Sequence, residues 1–227
     1  FQGELGAYSH IAINELFENP EIKTCATFEE TFKVAYENLD YKIVIPLENS
    51  LAGRVADIHY LLPKYKLQIH GEHFQNVEHN LLCKQDAQIE DIKFVRSHAQ
   101  AIGQCQNIIN KKNFKPIISA DTAGSAKDLA EGNDKSIAAI ASKLSAKIYN
   151  LKILEKNIED EKGNVTRFLI MGKKIEQPEF SQKKQFITSC IFRVKSEPSA
   201  LYKCLGGFAT NQVNLTKLES FSVKNTF

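Results

Sequence analysis

Ile43-Val44-Ile45-Pro46-Leu47 runs straight into Glu48-Asn49-Ser50, and after Gly53-Arg54 the spacing of Val55, Ile58, Leu61 and Leu62 turns helical. An apolar run of strand length, a loop of hydrogen-bonding side chains and a helix start make one strand–loop–helix unit. The pattern recurs downstream. Phe94-Val95 leads into Ser97-His98-Ala99-Gln100, and Ile117-Ile118-Ser119 into Asp121-Thr122-Ala123-Gly124. Ile137 to Ile140 is a further strand candidate. One helix face each is marked by Ile13, Leu16 and Phe17, by Phe28, Phe32 and Ala35, and by Ile102, Cys105 and Ile109. Strands separated by helices predict βαβ units, an α/β fold and a mainly parallel sheet, whose ligands bind in loops beyond the carboxyl ends of the strands.

Those loops hold the polar clusters. Ser, Asn, Asp and Thr are also preferred helix caps, so each cluster taken alone reads as capping. A further stretch, Gly163-Asn164-Val165-Thr166-Arg167-Phe168-Leu169-Ile170-Met171, sets a hydroxyl and a guanidinium at the mouth of a short buried strand. Arginine's planar fork suits a carboxylate, and a threonine hydroxyl can donate or accept beside it. Convergence of these clusters with Thr166-Arg167 on one crevice predicts an anion-binding site.

Composition excludes several other classes. With 227 residues, 43% of them hydrophobic and 25% charged, the chain has room for more than one core. A net charge of +2, with basic residues scattered among acids, argues against a nucleic-acid partner and an anionic membrane surface. The five cysteines, Cys25, Cys83, Cys105, Cys190 and Cys204, never form a Cys-x-x-Cys pair, which points away from a zinc site and toward a reducing, cytoplasmic setting. No apolar run approaches the ~20 residues of a membrane span. The sequence opens on Phe1 without a methionine, so the lack of a signal peptide carries no weight.

The chain resembles the prephenate dehydratase family in a series of long motifs in family order. They are Phe1-Gln2-Gly3-Glu4-Leu5-Gly6-Ala7-Tyr8-Ser9, Ile45-Pro46-Leu47-Glu48-Asn49-Ser50-Leu51-Ala52-Gly53-Arg54-Val55, Ser97-His98-Ala99-Gln100-Ala101, Asp121-Thr122-Ala123-Gly124-Ser125-Ala126 and Asn164-Val165-Thr166-Arg167-Phe168. The resemblance implies a catalytic region over residues 1–180, built as two α/β lobes like type 2 periplasmic binding proteins. Lobe one would hold about 1–73 and 162–180, lobe two about 74–161, with the active site in the cleft between them. It implies prephenate as substrate, and neither a metal nor an organic cofactor. It places Thr166 and Arg167 as catalytic residues, the hydroxyl on the leaving group and the guanidinium on a carboxylate. Ser9, Glu48, Asn49, Ser50, His98, Gln100, Thr122 and Ala123 would bind substrate, with Phe168 packing the site. Two of these have plainer readings: His98 as a helix-start residue, and Glu48 as a partner of Arg54.

Residues 172–184, with Pro178, read as a charged linker. Beyond it Phe186, Thr188, Cys190, Phe192 and Val194 alternate as a strand, Leu201, Cys204, Leu205 and Phe208 lie at helix spacing, and Val213-Asn214-Leu215 begins another strand. This β-α-β pattern over 185–227 resembles part of the ferredoxin-like α+β ACT regulatory domain that follows the catalytic region in the family. The resemblance implies a phenylalanine site at Ser199, Ala200, Leu201 and Tyr202 with Asn214, Leu215, Glu219 and Ser220, and feedback through a homodimer or homotetramer. Ser199 stands where the family has glycine, and Phe221 where it often has arginine. The sequence stops at Phe227, before the later strands of such a domain, so a fragment of this length is expected to lose the feedback. Alternatives left open are an arogenate dehydratase, a non-catalytic two-lobe solute-binding protein and an amino-acid-sensing module with degenerate lobes.

Overall fold

The computed structural model describes residues 1–174, 179, 181–183 and 186–220. The chain divides into two compact units, Phe1–Glu176 and Gln177–Phe227. In chain order the first unit has helices α1 (Tyr8–Leu16) and α2 (Phe28–Glu37), strands β1 (Lys42–Asn49) and β2 (Gly53–Arg54), helix α3 (Ala56–Tyr65), and strands β3 (Gln68–Asn76), β4 (Asn80–Cys83) and β5 (Phe94–His98). Helices α4 (Ala99–Gly103) and α5 (Gln106–Lys112), strand β6 (Lys115–Ser119), helix α6 (Thr122–Glu131), strand β7 (Ile137–Ala141), helix α7 (Lys143–Ile148), and strands β8 (Lys152–Glu155) and β9 (Val165–Gly172) follow. No described helix is long and apolar enough to cross a membrane.

The strands form two sheets, of order β2-β1-β9-β3 and β6-β5-β7-β4-β8, one in each lobe. Only β5 with β6 and β5 with β7 pair in parallel. Every pairing in the first sheet is antiparallel, as are those of β4 with β7 and β8. The expected mainly parallel sheet is therefore corrected to one parallel block of three strands. The error has a physical cause: alternation along the chain reports local connections, whereas β9 arrives from far downstream and inserts between β1 and β3, antiparallel to both.

The unbroken apolar run in β9 follows from that insertion. Phe168 and Ile170 pack with Val44 and with Ala12 of α1, while Leu169 and Met171 pack with Ile43, Ile45, Phe32, Ile58 and Leu61 under α2 and α3. Helices thus cover both faces of the first sheet. Burying a side chain such as Phe168 contributes roughly 1.5–3 kcal/mol. The second sheet is sandwiched in the same way, with Leu81, Val95 and Ile140 in one cluster and Leu82, Ala139 and Ala141 in another. The helix expected across Ile102, Cys105 and Ile109 is two helices with Gln104 and Cys105 between them, although all three apolar residues still share one core cluster.

In the second unit, helix α8 (Ala200–Thr210) matches the spacing of Leu201, Cys204, Leu205 and Phe208. The strands expected at 186–194 and 213–215 are not formed. Side-chain alternation becomes a strand only when a partner supplies ladder hydrogen bonds, and no described segment of this unit does so. In the expected linker, Gly172 is the last residue of β9; Pro178, Lys184 and Phe221 lie outside the described residues. Ser199, preceding α8, has φ +65°, the left-handed region that glycine occupies at no steric cost. Ser199→Gly should therefore stabilise the start of α8 by about 1 kcal/mol, read as increased helix protection in amide hydrogen exchange.

Candidate active site

Asn49 ends β1 and faces Thr166 across the β1–β9 ladder. An irregularity between Pro46 and Glu48 shifts the register just before it, the kind of local bend that re-aims side chains at a strand end. The Asn49 side chain is held from behind: its Oδ1 accepts the backbone N–H groups of Leu51 at 3.0 Å and Ala52 at 2.8 Å. Its Nδ2 must then face β9, where it donates to Thr166 Oγ1 at 2.9 Å and Asn164 Oδ1 at 2.5 Å. Thr166, 8% exposed, accepts this bond and donates to nothing among the described residues. A hydroxyl whose lone pair is engaged and whose proton is uncommitted is arranged to donate.

Asn164 in turn donates through Nδ2 to Gln104 Oε1 at 3.0 Å, and His79 Nε2 meets the same oxygen at 3.0 Å. The Tyr8 hydroxyl lies 3.0 Å from His79 Nδ1 and 2.7 Å from Glu78 O. This polar string ties β1 and β9 of one lobe to the break between α4 and α5 in the other. Burial holds His79 below the ordinary histidine range, against the opposing effects of its Gln104 bond and of the Glu159 carboxylate, which accepts its backbone N–H. A folded-state pKa below that of the unfolded chain means that acid favours unfolding, because the unfolded chain then binds the extra proton. Stability should decline as pH falls through about 6.5. Urea denaturation at a series of pH values checks this, and His79→Gln should flatten the slope.

Arg167 follows different logic. Successive strand residues point to opposite faces, so Arg167 lies on the side of Leu169 and Met171, away from Thr166. The structure does not bring the two together in one crevice. Its Nη1 donates to Glu48 Oε1 at 3.0 Å, and its Nε donates to Glu72 Oε2 at 2.8 Å, with Nη2 2.6 Å from the same oxygen. The guanidinium is 18% exposed and the two carboxylates 28% and 29%. Glu48 also faces Arg54 in the β1–β2 register.

The other expected site residues are placed by the parallel block. His98 and Ser119 are register partners at the carboxyl ends of β5 and β6. His98 caps α4, its Nδ1 accepting from Gln100 N at 3.3 Å, so its helix-start reading holds. Thr122 and Ala123 open α6 behind Asp121, whose carboxylate accepts the Gly124 N–H. Ser142 caps α7 at the end of β7, and here the lobes touch: Ser142 Oγ and Ser145 Oγ donate to Gly6 O at 2.6 and 3.1 Å. Lys127 pairs with Glu4 at 3.2 Å, and the Tyr149 hydroxyl donates to Leu5 O. Ser9 is buried in the first turn of α1 with no hydrogen bond to its hydroxyl among the described residues. Ser50 clamps the start of β9, its Oγ accepting Val165 N–H at 2.9 Å, and Phe168 is core at 1% exposure. In the second unit, Ala200, Leu201 and Tyr202 form the first turn of α8, and Asn214, Leu215, Glu219 and Ser220 follow it in irregular backbone.

The family model for prephenate dehydratase matches residues 1–176, the whole first unit. This chain belongs to the prephenate dehydratase family. Over 230 residues it is 40% identical to the bifunctional N-acyl-homoserine lactone acylase/prephenate dehydratase of Komagataeibacter europaeus, covering 100% of this chain and 80% of that protein. It is also 40% identical over 220 residues to arogenate dehydratase/prephenate dehydratase 2 of Arabidopsis thaliana, covering 97% of this chain but 57% of the plant protein. The fold is shared with the prephenate dehydratase of Arthrobacter aurescens solved in complex with L-Phe, at TM-score 0.84 and 22% identity over 99% of this chain and 75% of that one.

For a prephenate dehydratase, the expectations from sequence were short of several residues. Glu72, His79 and Gln104 received no role, and Asn164 and Tyr8 only membership of a motif. Their signal is spatial. A buried polar side chain is recognisable by its partners, and here those partners lie 25 to 115 positions away in sequence.

Proposed function

We propose that the first unit converts prephenate to phenylpyruvate, with Thr166 as the group that assists the departing hydroxide. The supporting observation is the Thr166 hydroxyl itself, held as an acceptor by a pinned Asn49 with its proton free. In the reaction the C–C bond to the ring carboxylate breaks and its electron pair enters the ring. The ring C–O bond breaks as the ring aromatises, and carbon dioxide and water leave. Aromatisation drives the step, so the protein has only to fix the carboxylates and support the charge developing on the leaving oxygen. A threonine O–H donating to that oxygen does so as a hydrogen bond that strengthens along the reaction, and the leaving hydroxide takes one proton from solvent to become water.

The Gln100 side chain, the opening of α6 at Thr122 and Ala123, and Ser9 supply neutral donors for an anionic substrate. Arg167 reads better as a strut than as a free clamp, because Glu48 and Glu72 already engage its fork. Arg167→Gln should cost about 2–3 kcal/mol of stability by taking the guanidinium away from the partly buried Glu72 carboxylate and from its bond to Glu48. Denaturant titration measures it, and adding Glu48→Gln should recover part of the loss.

Turnover of prephenate, followed as phenylpyruvate formation, tests the reading directly. Arogenate belongs in the same assay, because it differs only in an amino group for a keto group and relatives carry both names. An N-acyl-homoserine lactone belongs there because a relative carries that acylase activity in its name. Preferred turnover of prephenate supports the proposal; turnover of neither dehydratase substrate overturns it. Phenylalanine, the ligand in the Arthrobacter complex, is the proposed feedback inhibitor through the second unit in a homo-oligomer. Phenylalanine titration of activity tests that part.

A further inference from the structure

We propose that His79, backed by Tyr8, is a positioning residue for the dehydration: it locks the Gln104 amide in the one orientation that leaves Thr166 with its hydroxyl proton free. The inference rests on the dehydratase reading of Thr166.

The direction of each hydrogen bond in the string is fixed from its Asn49 end. At one end Asn49 cannot turn over, because two backbone N–H groups occupy its Oδ1. Asn164 must then present Oδ1 to Asn49 and Nδ2 to Gln104, and Gln104 must present Oε1. Since His79 Nε2 touches that same oxygen, the imidazole has to donate there. Its Nδ1, carrying no proton, then accepts from the Tyr8 hydroxyl at 3.0 Å, which turns its one proton to the ring rather than to Glu78 O at 2.7 Å. His79 is 2% exposed, on the segment joining β3 to β4, and its backbone is fastened at both sides: its N–H donates to Glu159 at 2.9 Å and its carbonyl accepts Ile158 N–H at 2.9 Å. A rigid ring with one N–H aimed at Gln104 adds a second donor to the one Asn164 supplies and so holds that amide against rotation.

Without the His79 donor, the Gln104 amide is held by Asn164 alone and turns its amino group toward Asn164 for part of the time. Two amino groups then face each other, Asn164 turns in response, and its amino group meets the Asn49 amino group that cannot turn. The conflict is relieved only at Thr166, whose hydroxyl loses its fixed acceptor role. Catalysis suffers through direction, with little change in substrate contact, so kcat should fall while KM holds.

The tests use the full chain. Nitrogen-15 NMR of the wild-type protein should show His79 as the Nε2–H tautomer; an Nδ1–H tautomer overturns the inference without reference to any substrate. In kinetics, His79→Leu should lower kcat by roughly 10- to 100-fold with KM nearly unchanged, and His79→Gln, whose amide can donate at the same place, should recover most of the loss. A folded His79→Leu protein with wild-type kcat, or a His79→Gln protein no better than His79→Leu, overturns it. Thermal melting separates these outcomes from failure to fold. A wild-type chain inert toward both prephenate and arogenate would remove the dehydratase reading, while the tautomer result would still judge the locking geometry.

Discussion

Thr166→Ala should lower kcat for prephenate by at least ~100-fold, with the protein still folded and KM changed far less. The size follows from what the hydroxyl is placed to do. It lies in a nearly water-free position, its lone pair engaged by Asn49 at 2.9 Å, so its proton is directed rather than shared with solvent. Hydrogen bonds to developing charge are worth most where water is excluded. Thr166→Val separates chemistry from packing, because it keeps the branched shape beside Phe168 and removes only the hydroxyl. It should be as inactive as the alanine variant. Both variants leave the Asn49 amino group short of one acceptor, costing about 1–3 kcal/mol, which a thermal melt will register. Thr166→Ser should retain most activity. Near-normal turnover in Thr166→Val would remove the hydroxyl from the mechanism.

Gly6→Ala should be the most damaging single methyl group in the first unit. Gly6 has φ +92°, and a Cβ there would sit 2.5 Å from Ser145 Oγ and 2.8 Å from Ser145 Cα. The serine hydroxyl could rotate away, but the Cα belongs to α7 and cannot. Relief therefore requires the two lobes to separate at the point where Ser142 and Ser145 both bond Gly6 O. Adding the backbone strain of about 1–2 kcal/mol to overpacking of about 1–3 kcal/mol gives a loss of roughly 3 kcal/mol. For a chain of this size that is a melting-temperature drop of roughly 6–12 °C. Gly53→Ala is the matched control: its φ is +79° but nothing lies within 4 Å of the added methyl, so it should show only the strain.

The parallel block and β9 were legible because Phe94-Val95, Ile137 to Ile140 and Leu169 to Met171 are apolar runs of strand length. Strand β3 was not: Gln68 to Asn76 is polar, edges its sheet, and leaves Phe74 59% exposed, so it carries no period to read. The antiparallel order of the first sheet was hidden because pairing is decided between segments a hundred residues apart. Thr166 and Asn49 stood out as polar residues at a strand mouth, but their facing across a ladder is a matter of register. Arg167 shows the opposite case. Adjacency in sequence suggested cooperation with Thr166, and the two-residue period of a strand sends the two side chains to opposite faces.

That late insertion of β9 also sets the order in which the molecule can be built. Strands β1 and β3 leave the ribosome early, yet both pair with β9, which is the final strand of the first unit. The second sheet, drawn from residues 80–155, can finish folding while the first still waits with two open edges. Thr166 enters on that last strand. The proposed catalytic hydroxyl and the keystone of the first sheet therefore arrive together, and a nascent chain acquires its candidate site in the same step that closes its fold.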